Sequence, residues 1–267
     1  MTDPVSRTIL LIDIENYSKR DDHEQAYLRR ILFDITDRAE ESAGIDKTLR
    51  LRADRGDSVM ELIDARSSVP ALLRALVTDV PAHLHAVNRM ASASAQIRLR
   101  AVVAVGYVRI DEHDGWVGND LNLACRLLDA ELLRAALRER EDDFALCVAE
   151  GVYQGIVQHD HPGVPKRDFH AVTMDSKNGE LRAWLHGAVP AGAGAAGRDA
   201  GQRPAPAGTG TAGGRSIVIG EGATFGSGPV TGDQIGVSGK GNRVGRLHMG
   251  GNFSSGDRGD TERGESE

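Results

Sequence analysis

Cysteine is scarce in this chain. Cys125 and Cys147 are the only two among 267 residues, and both lie in apolar sequence. They have neither the number nor the spacing of a disulfide framework or a zinc site, so a reducing compartment is expected. Signals for export and membrane insertion are missing as well. Met1 to Pro4 leads into an apolar run with no basic segment and signal core, and no apolar stretch approaches the roughly 20 residues that span a bilayer. The expectation is a soluble, cytoplasmic protein with no membrane partner. Positive charge is also in deficit: a net charge of −7 leaves no electrostatic case for nucleic-acid binding. Glycine is sparse where a core would form. Residues 1–187 hold 10 of the 32 glycines, and the last 80 residues hold the other 22. The Ala/Gly/Pro run 188–214 therefore reads as a flexible linker, and the globular part spans 1–187.

That globular part is organised around Thr8-Ile9-Leu10-Leu11-Ile12-Asp13-Ile14-Glu15-Asn16-Tyr17. An Ile/Leu run without polar alternation reads as a strand buried on both faces, with Asp13 near its end. Arg55-Gly56-Asp57-Ser58 marks a turn between strand-like segments 49–53 and 58–63, which together make a hairpin. Helical spacing covers 21–41 and 69–90, and 96–108 alternates as a long strand. Val108 to Trp116 leaves room only for a tight hairpin. Asn119 or Asp120 caps a helix running to Leu132. Residues 144–148 read as a strand, 150–158 as a short helix, and 169–173 with 180–185 as a closing hairpin. The order fits an α/β (α+β) fold, a mostly antiparallel ferredoxin-like sheet with helices on one side.

Two carboxylates at strand edges, Asp13 and Asp57, would be able to converge on divalent metal and a polyphosphate. Taken singly, each feature has a plainer reading. Asp13 is then a strand-end or capping aspartate, Gly56-Asp57 a turn, and Asn122 with Arg126 a polar stripe at i and i+4. His159-Asp160-His161, ahead of Pro162-Gly163, reads as a solvated loop.

Taken in order, the set resembles the catalytic domain of class III nucleotidyl cyclases, the adenylate/guanylate cyclase family. The resemblance rests on Ile12-Asp13-Ile14-Glu15-Asn16-Tyr17, the Gly56-Asp57 hairpin, Val102 to Val108, Gly118-Asn119-Asp120-Leu121-Asn122-Leu123-Ala124-Cys125-Arg126-Leu127, and Val148-Ala149-Glu150-Gly151-Val152-Tyr153. It covers residues 6–187. It implies that Asp13 and Asp57 hold two divalent ions, Mg²⁺ or Mn²⁺, and that backbone amides from Ile14 to Tyr17 turn toward phosphate oxygens. It further implies that Asn122 orients the ribose, that Arg126 stabilises charge on the α-phosphate, and that Lys177 lies where a phosphate-binding lysine is supplied. The implied reaction converts a nucleoside triphosphate to a cyclic nucleotide and pyrophosphate, for signalling. The implied assembly is a homodimer whose sites are shared between subunits. Two departures bear on the base. The segment before Gly56 reads Arg52-Ala53-Asp54-Arg55, with no base-reading lysine, and Asp114 stands in for the second base-reading group. The base is therefore open, and a catalytically inactive homologue that senses nucleotide or dimerises is the alternative.

Beyond the linker, residues 215–253 combine β-branched runs with Gln, Asn and Gly. Gln234-Ile235-Gly236 resembles the core of amyloid-signalling motifs such as the RIP homotypic interaction motif. A protein partner recruited by strand stacking, or a plainly disordered tail, are the two expectations for this segment. Residues 254–267 read as a charged, disordered end.

Overall fold

In the computed structural model, residues 3–113, 115–176 and 179–191 are described. Asp114, Lys177 and the segments 215–253 and 254–267 lie outside them. An eight-stranded sheet runs through the domain. Its strands are β1 (Val5–Ile14), β2 (Arg50–Asp54), β3 (Ser58–Asp64), β4 (Leu99–Ile110), β5 (Trp116–Val117), β6 (Phe144–Ala149), β7 (Phe169–Ser176) and β8 (Gly179–His186). The helices are α1 (Asp22–Ser42), α2 (Val69–Asn88), α3 (Asn119–Asp129), α4 (Glu131–Glu139) and α5 (Glu150–Gly155).

The sheet order is β2-β3-β1-β4-β6-β8-β7, with β5 paired to β4. Neighbours are antiparallel except β4 and β6, which run parallel. The first six main elements form a split β-α-β-β-α-β unit: β3 inserts between β1 and β2, and β4 flanks β1 on its other side. This is the ferredoxin-like arrangement, extended by β6, β8 and β7.

β1 shows why an unalternating apolar run sits at the centre. Leu10, Ile12 and Ile14 point to one side, where they meet Leu28, Leu32 and Ile35 of α1 and Leu72, Leu73 and Leu76 of α2. Ile9 and Leu11 point to the other, where they meet Leu121, Ala124 and Leu127 of α3 and Leu133 and Leu137 of α4. Helices thus cover both faces, which corrects the one-sided expectation. A second correction concerns the segment after Gly118. Ala130 takes an extended backbone (φ −63°, ψ 136°) and breaks the run into α3 and α4. The apolar periodicity continues through the break, so spacing alone joined the two helices.

Polar side chains set several of the joints. Asp21 accepts from the Glu24 amide while Glu24 reaches back to the Asp21 amide, a capping box at the start of α1. Asn88, at the end of α2, bonds both the amide and the carbonyl of Ile97 (2.8 Å each) and the Asp143 carboxylate (2.8 Å). One buried amide therefore registers α2 against the approaches to β4 and β6. At α3 the expected cap is different. Gly118 occupies the N-cap without a side-chain bond, and Asp120 instead accepts from the Tyr107 amide of β4 (3.1 Å). Among the described residues no helix is long and apolar enough to cross a membrane.

Candidate functional site

Asp13 lies opposite Ser58 of β3 and Arg100 of β4, one residue before the end of β1. Its side chain is buried and ion-paired with Arg100, which also donates to the Leu128 carbonyl (3.4 Å). Burial pushes the Asp13 carboxyl up to about 6, against the pull of Arg100 and with added repulsion from Asp57 and Asp129. The sequence placed a charge at this strand end without a partner. Arg100, ahead of the apolar stretch Ala101–Val105 of β4, is the partner it missed.

Asp57 reaches the same place from the β2–β3 turn. Gly56 adopts φ 86° there, a left-handed conformation that glycine takes without strain, and its amide is held by the Asp54 carboxylate (2.9 Å). The Asp57 carbonyl accepts from the Ile14 amide (3.0 Å), stitching the hairpin tip to the end of β1. Asp13 and Asp57 therefore line one cleft of about 420 Å³, with Ile14, Glu15, Asn16, Tyr17, Ser18, Arg100, Asp129, Arg134 and Arg138.

The backbone after β1 turns sharply, with Asn16 at φ 57°, where asparagine is tolerated better than most residues. Ile14 and Glu15 spend their amides on the Asp57 and Arg98 carbonyls. This corrects the expectation that the Ile14 amide faces a ligand. Among the described residues, the amides of Asn16, Tyr17 and Ser18 donate to no backbone carbonyl, and they open the single 3₁₀ turn Tyr17–Lys19 at the cleft.

Asn122 and Arg126 are neighbours on α3, where the Arg126 Nε donates to the Asn122 carbonyl (3.3 Å). Neither lines the Asp13–Asp57 cleft of its own chain. The sequence also missed Asp129, Arg134 and Arg138. An expected single helix to Leu132 hid the turn that carries α4 to the cleft mouth.

Oxygen donors of two carboxylates suit a hard divalent cation such as Mg²⁺ or Mn²⁺, and mutual repulsion between Asp13 and Asp57 is the electrostatic strain such a cation relieves. Among the described residues no group of three or more His, Cys, Asp or Glu is placed to hold a metal. An ion at this cleft would meet Asp13 and Asp57, with Asp129 also in the lining.

The hairpin that presents Asp57 is tied to α1 by a buried ionic cluster. Arg50 of β2 pairs with Glu40 (2.7 Å) and Asp37 (2.8 Å), and Arg52 pairs with Asp37 (2.6 Å), Glu40 (3.2 Å) and Glu61. Burial, reinforced by the neighbouring Glu61, pushes Glu40 up to about 8, and burial raises Glu61 to about 7. Three carboxylates face two guanidiniums, so one proton balances the cluster. A carboxyl whose folded value exceeds its unfolded value stabilises the fold below the unfolded value, and that stability drains as pH rises through the folded one. Melting temperature should therefore fall between pH 6 and pH 8.5, by about 2–4 °C for each kcal/mol lost. Glu40→Gln should flatten that fall. Thermal melts across this range check it, and an equal slope in the variant would assign the titration elsewhere.

No family model matches the chain, and no curated protein sequence matches it. Similar solved structures include a bacterial light-regulated adenylyl cyclase (16% identity, TM-score 0.49, 71% of this chain and 94% of that one). Another is an adenylate/guanylate cyclase/hydrolase from Silicibacter pomeroyi (17%, TM-score 0.47, 70% and 99%). A third is the guanylate cyclase domain of RhGC from Catenaria anguillulae in complex with GTP (16%, TM-score 0.46, 71% and 100%).

Proposed function

We propose that this domain is a nucleotidyl cyclase that converts a nucleoside triphosphate to a cyclic nucleotide and pyrophosphate. The observation that carries the reading is the convergence of Asp13 and Asp57, from two separate elements, on one cleft lined also by arginines and by the Asn16–Ser18 segment, whose amides, among the described residues, donate to no backbone carbonyl. Asp13 and Asp57 would hold the divalent ions. Bound there, such ions would lower the pKa of the ribose hydroxyl and neutralise charge on the phosphates. The chain itself supplies the rest. Arg100 holds the Asp13 carboxylate in its buried position, and the amides of Asn16 to Ser18 donate to phosphate oxygens as a nest does. Asn122 orients the ribose, and Arg126 stabilises charge gathering on the α-phosphate as the new bond forms.

Because Asn122 and Arg126 stand outside the cleft of their own chain, the reading needs a homodimer in which each subunit completes the other's site. Inactive variants Asp57→Asn and Arg126→Ala should then complement when mixed. With random exchange half of the dimers are hybrid, each with one intact site, so activity should recover to about a quarter of wild type. No recovery, with exchange demonstrated, would place both groups in one subunit.

Base choice is not read by the β2–β3 hairpin in the expected way. Arg52, in the segment where a lysine would read a purine, is committed to Glu61, Glu40 and Asp37. The test of the reading is incubation with each of the four nucleoside triphosphates and Mn²⁺, with cyclic product sought by mass. No cyclic product from any of them would leave the alternative, a nucleotide-sensing or dimerising module. An interaction role for residues 215–253 remains part of the proposal, to be tested by whether that segment recruits a protein partner.

A further inference from the structure

The cleft has an end that the proposed chemistry leaves unused. Arg134 and Arg138 lie four residues apart on α4, hence on one helix face, and both line the cleft shared by Asp13 and Asp57. α4 is a fixed platform. Leu133, Ala136 and Leu137 are buried beneath it, and Arg98 fastens its end by donating to the Leu137 (2.6 Å) and Arg140 (3.0 Å) carbonyls. The break at Ala130 is what swings this face to the mouth.

Each arginine is only loosely engaged. Arg134 reaches Asp129 at 3.1 Å and Arg138 reaches Glu131 at 2.5 Å, and both carboxylates are more exposed than the arginines they meet. Exposed pairs of this kind contribute about 0–1 kcal/mol, so a better anion displaces them at little cost. Each guanidinium has five N–H donors and spends one, which leaves a fork free for phosphate oxygens.

We infer that Arg134 and Arg138 form a second anion subsite, which grips the distal phosphates of the substrate and then the pyrophosphate. The inference rests on the nucleotide reading above and deepens it. The ligand class is a linked polyphosphate: two guanidiniums on one face of α4, in the cleft that also holds Asp13 and Asp57, match the several charged oxygens of adjacent phosphates better than those of a single one. The subsite holds the leaving group by charge and geometry, independently of which base the substrate carries.

The test uses the full chain with Mg²⁺ and titrates inorganic pyrophosphate, inorganic tripolyphosphate and a nucleoside monophosphate. In the double variant R134Q/R138Q, affinity for both inorganic polyphosphates should fall at least about tenfold, with the monophosphate unchanged. The control variant R66Q/R167Q, at two exposed arginines outside the cleft, removes the same charge and should change neither affinity. Both α4 side chains are about half exposed, so the melting temperature should hold and guards against misfolding. Unchanged polyphosphate affinity in the double variant overturns the inference, as does wild-type protein that fails to bind pyrophosphate saturably. The two readings fail separately. Cyclic product with arginine-independent polyphosphate binding removes only the subsite, whereas arginine-dependent pyrophosphate binding without cyclic product removes only the cyclase reaction.

Discussion

Replacing Asp57 by Asn should lower metal-dependent formation of cyclic nucleotide by at least about a hundredfold, since even outer-shell losses at metal sites cost 10–100-fold. The melting temperature should stay where it is. Asp57 is exposed at the hairpin tip, and the group that stitches the tip to β1 is its backbone carbonyl, which asparagine keeps. Asp13 behaves differently. Asp13→Ala leaves Arg100 buried without its carboxylate, a loss of about 3–5 kcal/mol for a broken buried pair. Activity lost at Asp13 thus mixes chemistry with unfolding, whereas Asp57 separates them. Product by mass beside thermal melts is the measurement, and an Asp57→Asn protein that turns over at the wild-type rate would falsify the metal assignment.

The second large effect is expected at Gly106, beneath the first turn of the helix that carries Asn122 and Arg126. A Cβ built there overlaps the Cβ, Cγ and Oδ2 atoms of Asp120, and one at Gly118 comes within 2.6 Å of the Tyr107 carbonyl. The first turn of α3 therefore rests directly on the backbone of β4. Gly106→Ala cannot be absorbed by swinging a side-chain tip, because the Asp120 Cβ itself is in the way; α3 must lift. Overpacking and loss of the Tyr107–Asp120 bond together should cost about 2–4 kcal/mol, and lifting α3 should also displace Asn122 and Arg126. The double change G106A/D120G removes the overlapping side chain and should recover the overpacking part of the loss, while the Tyr107–Asp120 bond stays lost. If the double variant melts no higher than Gly106→Ala alone, the contact is not the cause.

How far the sequence carried depends on what each signal reports. The β1 run was legible because burial on both faces leaves no polar alternation, and the Gly56 turn because its conformation demands glycine. Convergence of Asp13 and Asp57 was legible only as an ordered set of motifs, since neither residue is distinctive alone. Arg100 was not legible. Either arginine of the alternating Arg98-Leu99-Arg100-Ala101 segment looks like a solvent-facing position until the register sets Arg100 opposite Asp13. Arg134 and Arg138 were hidden for another reason. Helix periodicity measures which face is apolar, and that face continues through Ala130 while the chain direction changes.

The pairing of β1 also bears on how the chain comes off the ribosome. Val5–Ile14 is made first, yet its two partners are β3 and β4, and the latter is complete only at Ile110. At about 5–20 residues per second, β1 keeps the hydrogen-bonding edge that β4 will fill open for several seconds or more, even once β3 has paired with the other. Such a strand is a template for pairing with another nascent chain. Synthesis that slows before β4 emerges should therefore favour aggregation, while conditions that hasten β4, or a chaperone that occupies β1, should raise the soluble yield. Contacts so distant in sequence also make the central pairing the slow step of refolding, in step with the general dependence of rate on contact order.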